Sequence, residues 1–77
     1  MTAVKLTNKR NEEKQSILDA DFSITGNILV IRGNLSPLGL QINDIVIFSS
    51  TNYSSEYKFI SQEKNTYGEA VYNFKEC

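Results

Sequence analysis

Apolar and polar residues alternate strictly over residues 18–25, and this is the clearest pattern along the chain. The apolar members are Leu18, Ala20, Phe22 and Ile24, and the polar members between them are Asp19, Asp21, Ser23 and Thr25. Successive side chains of a β-strand point to opposite faces of a sheet, so a period of two predicts a strand with one apolar face. We therefore expect a strand over residues 18–25.

A hairpin is expected directly after this strand. Gly26 and Asn27 tolerate positive φ and suit a two-residue turn, and residues 28–32 supply a second, apolar strand. Placing the two strands in register across this turn also places Asp21 opposite Arg32. The register therefore predicts an ion pair across the hairpin.

The segment from Asp44 to Ser49 predicts a strand with two apolar faces. Its centre is the uninterrupted apolar run Ile45, Val46, Ile47 and Phe48. Such runs are typical of central strands, which are covered on both sides. We expect either a central strand or a strand that gives one face to a partner. The preceding residues 33–40 contain the only proline and two of the four glycines, and they predict a connection.

Aromatic residues mark a second hairpin later in the chain. Tyr57 and Phe59 alternate with polar residues, and Tyr72 and Phe74 do the same beyond the turn-forming residues 64–68. We expect the aromatic face of this hairpin to join the core.

Residues 8–16 contain no apolar side chain, and two structures remain open for them. One is a short exposed helix capped by Asn8 or Asn11, with Glu12 and Glu13 in its first turn. The other is a loop. The missing apolar stripe favours the loop or a single helical turn, because a helix on a small domain normally buries one face.

Together with an early strand indicated by Val4 and Leu6, these elements predict a mostly β fold. The expected architecture is five to six short antiparallel strands with little helix, forming a small barrel or a two-layer sheet. A chain of 77 residues has room for one core, so residues 1–77 are expected to form a single domain.

The reactive residue types argue against an enzyme or a metalloprotein. The chain has no histidine and one cysteine, Cys77, which removes the imidazole base and the usual zinc ligands. Asp19 and Asp21 could bring two carboxylates together, but a solvated face with Asp21 neutralised by Arg32 explains them more simply. We therefore predict no catalytic residue, no cofactor and no metal site.

Cysteine use and hydropathy give an expected location. A single cysteine and no secretory signal favour a reducing, cytoplasmic setting. No apolar run approaches the roughly 20 residues that cross a bilayer, so no membrane segment is expected.

Charge is nearly balanced overall but unevenly placed. The net charge is −1 and the isoelectric point is near 5.3, which gives no general attraction to phosphate backbones. The first part of the chain is nevertheless rich in basic residues, Lys5, Lys9, Arg10 and Lys14. These four, with Arg32, are the expected phosphate contacts if the chain binds nucleic acid.

The order strand, glycine turn, apolar strand, Leu-Gly, loop, Asp and apolar strand over residues 26–48 resembles the swapped-hairpin DNA-binding domains of the AbrB/MazE type. Gly26 stands at the turn glycine of that family, Leu38 and Gly39 at its Leu-Gly, and Asp44 at the Asp of its Gly-Asp pair. The resemblance implies an intertwined homodimer that binds DNA. The chain departs from the family pattern at the glycine before Asp44, which is replaced, and at the proline that closes the apolar strand, which is absent.

A polar, uncharged loop over residues 49–55 is the strongest candidate for a recognition surface. Tyrosine offers rigid contact area, and serine and asparagine offer adaptable hydrogen bonds, a mixture that antibody loops use. The predicted partner contacts are Asn52, Tyr53, Ser54 and Tyr57.

The leading hypothesis is a non-enzymatic protein that acts by contact with another protein, as an inhibitor or adaptor. The lack of catalytic residue types, the near-neutral apolar middle and the Tyr/Ser/Asn loop favour it. Frequent Asn, Ile, Lys, Ser and Tyr are typical of AT-rich genomes, which fits a phage or mobile element. Two alternatives stay open: a dimeric AbrB-like regulator on nucleic acid, and a structural subunit joined to a larger assembly through sheet edges.

Overall fold

The computed structural model describes residues 3–52 and 54–77, and β-strands dominate this part of the chain. The described residues contain seven strands, β1 (Ala3–Asn8), β2 (Lys14–Leu18), β3 (Phe22–Thr25), β4 (Ile28–Arg32), β5 (Ile45–Ser49), β6 (Ser54–Lys64) and β7 (Ala70–Glu76). The helical elements among the described residues are two single 3₁₀ turns, Asp19–Asp21 and Ser36–Leu38.

All seven strands belong to one antiparallel sheet, in the order β2-β1-β5-β6-β7-β4-β3. The sheet curls into a half-barrel. We call the side that holds the core the inner face, and the opposite side the outer face. The mostly β, antiparallel fold with little helix is thereby confirmed, with seven strands in place of the expected five to six.

The β3–β4 hairpin has the register that the sequence pattern predicts. The cross-strand pairs are Thr25 with Ile28, Ile24 with Leu29, and Phe22 with Ile31. Gly26 has a φ of 60°, and it is the only one of the two central turn residues with a positive φ. This is the pattern of a type II′ turn, whose twist matches that of the flanking strands.

The expected strand over residues 18–25 is interrupted, so that prediction is wrong in its first half. β2 ends, a 3₁₀ turn at Asp19–Asp21 follows, and only then does β3 begin. The turn is needed because β2 and β3 lie at the two ends of the sheet order. Asp21 is therefore outside the β3–β4 ladder, and the expected ion pair with Arg32 is not formed. Arg32 Nη2 donates instead to the carbonyl oxygen of Ala20.

Residues 8–16 form a turn and most of a strand, so the helix alternative is wrong and the loop alternative holds only for residues 9–13. The Asn8 N–H donates to the Glu13 carbonyl oxygen at 2.8 Å, which closes the turn between β1 and β2. β2 is an edge strand, and Ile17 is its one buried apolar residue. An edge strand with polar side chains resists pairing with other chains. This explains why β2 is mostly polar and does not show the apolar alternation typical of a strand.

β5 is the third strand in the sheet order, between β1 and β6, as expected of a central strand. Its inner face is completely covered, since Val46 and Phe48 are each 0% exposed. Its outer face carries Ile45 and Ile47, which are half-buried. The apolar run therefore divides into a core pair and an outer pair, and the chain itself covers the outer pair only in part.

Aromatic rings fill the centre of the half-barrel. The predicted aromatic face of the β6–β7 hairpin is in the core, with Tyr57, Phe59, Tyr72 and Phe74 all at most 6% exposed. The ring centroids of Phe59 and Phe74 are 5.3 Å apart. Aromatic pairs at this distance add to the free energy that burial alone supplies.

The connection between β4 and β5 also supplies core residues, although most of it is irregular. Leu35 and Leu38 are buried. Leu35 precedes the 3₁₀ turn, Leu38 is its last residue, and Pro37 lies between them in the turn. The Leu35 N–H donates to the Tyr72 hydroxyl at 3.3 Å, and Gln15 Nε2 on β2 donates to the Asn34 carbonyl oxygen at 2.9 Å. The connection is thereby held against the sheet on two sides.

Candidate functional site

The loop predicted to contact a partner joins β5 to β6. Ser49 and Ser54 pair at its base. Asn52 and Ser54 are exposed, so both are accessible to a partner. Tyr53 lies outside the described residues.

Tyr57, the fourth residue assigned to this contact surface, belongs to the core. Its ring is 4% exposed and meets the Phe48 ring edge-on, with the centroids 6.0 Å apart. The cause is register, because Tyr57 pairs with Val46 on the inner face. The contact assignment of Tyr57 is therefore corrected, and its assignment to the aromatic core face is confirmed.

Three of the five basic residues considered as phosphate contacts are lysines of the β1–β2 hairpin. Lys5 and Lys14 are exposed on the outer face, and Lys9 is in the turn. Lys9 Nζ is 3.0 Å from the Glu56 carboxylate, which offsets its charge. Lys5 and Lys14 form no ion pair with any residue that the structure describes.

The other two basic residues are directed elsewhere. Arg10 Nε is 3.1 Å from an Asp44 carboxylate oxygen, and Arg10 Nη2 donates to the Gly39 carbonyl oxygen at 2.6 Å. Arg32 is on β4, the sixth strand in the sheet order, whereas Lys5 is on β1, the second. The sequence-predicted phosphate contacts therefore do not form one continuous surface.

A polar cluster ties the β1–β2 turn to the connection before β5, and we call it the clasp: Asn8, Arg10, Asn11 and Asp44. Asn8 is 0% exposed, and its Nδ2 donates to the Leu38 carbonyl oxygen at 2.8 Å while its Oδ1 accepts from the Arg10 N–H at 3.1 Å. Asn11 Nδ2 donates to the same Leu38 carbonyl oxygen at 2.9 Å. The clasp therefore satisfies backbone groups that the irregular connection leaves without sheet partners.

Asp44 is the charged centre of the clasp, and its side chain is 10% exposed. Burial on its own raises the pKa of this carboxyl. The N–H of Gln41 at 2.9 Å, the Arg10 guanidinium at 3.1 Å and the Asn8 amide at 3.3 Å outweigh burial and hold the pKa below its ordinary value of 3.8. The ionised carboxylate is thus engaged inside the chain, and its role is to position the backbone.

The outer face carries a second apolar surface over the central strands. Cross-strand pairing places one row of residues over β5, β6, β7 and β4, in the order Ile45, Lys58, Lys75 and Ile28. Further outer positions add the aliphatic side chains Val30, Ile47, Ile60 and Val71. All six aliphatic residues are half-buried or exposed. We call these eight residues the outer patch.

Hollows that open to solvent interrupt the outer face. One, of about 480 Å³, is lined by Asn43, Lys58, Ile60, Lys75, Glu76 and Cys77. Another, also of about 480 Å³, is lined by Thr7, Lys9, Glu12, Lys14 and Ile47. In both, an aliphatic side chain lies among charged ones, a combination common at the rim of protein interfaces.

Tyr67 is the most exposed of the large apolar side chains described, at 88%, and it lies at the tip of the β6–β7 hairpin. Asn65 organises this tip, because its Oδ1 accepts from the N–H groups of Tyr67 at 2.9 Å and Glu69 at 3.0 Å. Gly68 supplies a φ of 81°. A tyrosine ring held clear of the sheet on a rigid turn is a suitable anchor for a partner. Sequence reasoning missed Tyr67, whose only signal was an aromatic residue between two turn formers.

The two aspartates considered as a carboxylate pair lie in a 3₁₀ turn, at Asp19 and Asp21, and not on a strand. Within residues 3–52 and 54–77, no three acidic, cysteine or histidine side chains are grouped closely enough to hold a metal ion. In the same ranges, no helix is both long enough and apolar enough to cross a membrane.

Comparisons of the chain with protein-family models, with curated proteins and with solved structures find no match. The candidate functional surface is therefore defined by geometry alone. It has three parts, which are the outer patch, the hairpin tip with Tyr67, and the exposed part of the β5–β6 loop at Asn52 and Ser54; the tip and the loop lie at opposite ends of β6.

Proposed function

We propose that this chain is a non-enzymatic binding domain that contacts another protein through the outer patch. The main support is that the inner face already holds a complete core, while the same central strands carry a second set of aliphatic side chains on the outer face. Antiparallel strands with one face in water normally place polar residues there. Burying this aliphatic surface against a partner contributes about 25 cal/mol for each Å² removed from water.

The shape of the surface supports a protein partner over a small molecule. Small-ligand sites usually enclose most of the ligand in a deep, apolar cavity. The hollows on the outer face are open to solvent and bordered by charged residues such as Lys58 and Lys14. A broad surface of charged and aliphatic residues suits a partner that is itself a folded or extended protein segment. Tyr67, which follows the outer-patch residue Ile60 by seven positions, adds an exposed aromatic ring.

Within this proposal, the chain acts as an inhibitor or adaptor in the cytoplasm. A single cysteine and the absence of histidine support a reducing compartment and a role without chemistry. The frequent Asn, Ile, Lys, Ser and Tyr support an origin in a phage or mobile element.

The experiment that tests the proposal compares the capture of a partner by the wild type and by an outer-patch variant. Ile28→Ser with Ile45→Ser removes apolar area from the outer face and leaves the inner face intact. The matched control is Ile24→Ser, a 41% exposed isoleucine outside the outer patch. We expect the patch variant to lose at least about tenfold in affinity, since two buried isoleucines supply several kcal/mol, and the control to bind normally. Equal binding by the wild type and the folded patch variant would contradict the proposal.

Solution mass over a dilution series separates the possible partners. A monomer supports a foreign protein, and a dimer that the patch variant dissociates supports a second copy of the chain. Oligomers larger than dimers that the patch variant leaves intact would favour the alternative of an assembly subunit joined through the edges of β2 and β3.

A nucleic-acid regulator is the second candidate, supported by Lys5 and Lys14, which are exposed and form no ion pair with a described residue. This function predicts binding to duplex DNA or RNA that weakens steeply between 50 and 200 mM salt, about as expected for several phosphate contacts. Replacing both lysines by glutamine should then weaken binding to all sequences alike. No binding at low salt would remove this candidate.

A further inference from the structure

Two lysines lie directly opposite each other at the centre of the outer patch. Lys58 on β6 pairs with Lys75 on β7, and both are exposed. The Cβ atoms of directly opposite residues are about 5 Å apart, and like charges in this position destabilise a sheet. Neither lysine forms an ion pair with a residue that the structure describes. The chain therefore leaves the repulsion between the two ammonium groups unrelieved.

The cross-strand neighbours of the pair are apolar. Ile45 lies beside Lys58 in the row, and Ile28 lies beside Lys75. Aliphatic side chains cannot neutralise the ammonium groups, and they exclude part of the water that would screen them. The surroundings thus favour an external anion between the two lysines.

Acidic residues near the pair form no ion pair with it. Glu56, two residues before Lys58 on β6, is 3.0 Å from Lys9 Nζ. Glu76 follows Lys75 in β7 and lines the same hollow as the two lysines, yet its carboxylate is not within ion-pair distance of either ammonium group. Among the described residues no carboxylate therefore neutralises the lysine pair, and a carboxylate from a partner can take this position.

Lys58 and Lys75 also border a hollow of about 480 Å³ that contains Ile60. Ile60 is 38% exposed and is the extra residue where the β6–β7 register shifts. A bulge turns side chains away from their regular positions, which here presents an aliphatic group beside two positive charges. The hollow thus offers apolar contact and charge to the same ligand.

We propose that Lys58 and Lys75 form a carboxylate-binding site that takes an acidic side chain from an acidic and aliphatic segment of a partner protein. Each carboxylate oxygen accepts a charge-assisted hydrogen bond from one ammonium group. Aliphatic side chains of the same segment pack on Ile60, Ile45 and Ile28. The site deepens the proposed function, on which it rests, by stating which chemistry the partner presents.

A protein segment fits this site better than a nucleic acid. The phosphate backbone offers no aliphatic groups for the isoleucines around the lysine pair. The chain also carries a net charge of −1, which gives no general attraction to an extended polyanion. Complementary charge and complementary apolar surface therefore indicate the same class of partner.

The test uses peptides of defined composition and nuclear magnetic resonance of the ¹⁵N-labelled, full-length chain. The probe is a blocked eight-residue peptide of alternating glutamate and leucine, and the matched probes replace glutamate by glutamine or by lysine. We expect the glutamate peptide to shift the amide signals of Lys58, Ile60 and Lys75. The glutamine peptide should bind at least about fivefold more weakly, since its neutral side chains form no charge pair with the two lysines.

The variant Lys58→Gln with Lys75→Gln removes the charges and keeps most of the aliphatic stems. It should bind the glutamate peptide about 5- to 20-fold more weakly. The control is Lys64→Gln, which removes an exposed charge at the hairpin end of β6, outside the outer patch, and should leave affinity within about twofold. Equal affinity for the glutamate and glutamine peptides, or an unchanged affinity in the Lys58/Lys75 variant, overturns the proposal.

The outcomes separate this site from the proposed function. If a captured protein partner needs the isoleucines of the outer patch but not the two lysines, the carboxylate site is wrong and protein binding stands. If duplex DNA of twelve base pairs shifts the lysine-pair signals and the glutamate peptide does not, the partner class is wrong. Equal loss of binding in the outer-patch variants and in the Lys64 control would contradict both.

Stability supplies a readout that does not depend on any partner. Lys75→Glu replaces the repulsive pair by an attractive one, so we expect it to raise the thermal midpoint by about 2–5 °C at low salt. The same variant should abolish binding of the glutamate peptide. A lower midpoint in a folded Lys75→Glu protein would show that the two ammonium groups do not repel each other as the register implies.

Discussion

Asp44 connects three segments that are distant in the sequence. Its carboxylate binds Arg10 and Asn8 at the β1–β2 turn, and it accepts the Gln41 N–H within its own connection. Its carbonyl oxygen accepts the Phe59 N–H of β6 at 2.9 Å. One residue therefore fixes where β5 begins and how the turn lies against it.

The pH dependence of stability should report on this carboxylate. Its pKa is lowered in the folded chain, so its contribution is fully present above the ordinary, unfolded pKa of 3.8 and is lost as the pH falls through the lower folded value. We expect Asp44→Asn to reduce the free energy of unfolding by about 1–3 kcal/mol at pH 7, because hydrogen bonds to a charged acceptor are lost. Below about pH 4 the difference from the wild type should shrink. Urea titrations between pH 2 and pH 7 measure both effects.

The control for this experiment is Asp21→Asn. Asp21 is exposed and forms no ion pair with a described residue, so its replacement removes a charge without breaking the clasp. We expect its curve to stay within about 0.5 kcal/mol of the wild type throughout. A constant deficit of Asp44→Asn across the whole pH range would contradict a role for the ionised carboxylate.

The glycine of the β3–β4 turn gives a second prediction about single residues. Gly26 has a φ of 60°, and a Cβ added there meets no atom within 4 Å, so the barrier to substitution is the backbone conformation alone. Because the first central position of a type II′ turn favours glycine, Gly26→Val should cost about 1–3 kcal/mol, and Gly26→Asn should cost less, since asparagine tolerates a positive φ better than a β-branched residue. Thermal denaturation of the two variants measures the difference. Equal stability would mean that the turn changes its type.

The strands could be predicted from sequence where local pattern and local contacts coincide. In the β3–β4 hairpin, apolar and polar residues alternate along β3, a glycine begins the turn, and only two residues separate the paired strands. The predicted register of this hairpin is confirmed. β5 could be predicted because it contains four consecutive apolar residues. β2 escaped prediction because an edge strand needs only one buried apolar side chain, Ile17, and the rest of it is polar.

The site depends on contacts that no local pattern contains. Arg10 and Asp44 are 34 positions apart, and the opposition of Lys58 and Lys75 follows from a register shift within the β6–β7 hairpin. Sequence reasoning also assigned Tyr57 both to a contact surface and to the core, and only the pairing with Val46 decides for the core. Long-range pairing, rather than composition, therefore separates the inner face from the outer face.

Neighbouring residues of β2 test the assignment of this strand. Ile17 is 5% exposed on the inner face, whereas Leu18 is 46% exposed on the outer face. We expect Ile17→Ala to reduce the free energy of unfolding by about 2–4 kcal/mol, because it leaves a cavity, and Leu18→Ala by less than about 1 kcal/mol. Urea denaturation compares the two. Similar losses in both variants would place this segment in a loop.

The sheet order makes the fold depend on pairings between distant strands. β1 pairs with β5, and β4 pairs with β7. The β1–β2 hairpin and the β3–β4 hairpin are therefore each joined to the rest of the sheet by a strand that is distant in the sequence. Both hairpins nevertheless contribute to one core cluster, which includes Leu6 from β1 and Leu29 from β4. The closure of distant pairs before the core forms is expected to make folding slow relative to helical domains of the same size.

A shared core predicts that the two ends of the sheet unfold together. Leu6 and Leu29 are each 0% exposed, and replacing either by alanine should cost about 2–5 kcal/mol and lower the thermal midpoint by at least about 10 °C. Because the residues belong to one cluster, each variant should show a single transition that coincides in near- and far-ultraviolet circular dichroism. The control Ile42→Ala, at a 57% exposed position, should leave the midpoint nearly unchanged. If Leu29→Ala melted β3 and β4 while the amide signals of β1 and β2 persisted, the half-barrel would consist of two cooperative units, and the outer patch, which spans β4 to β7, would be divided between them.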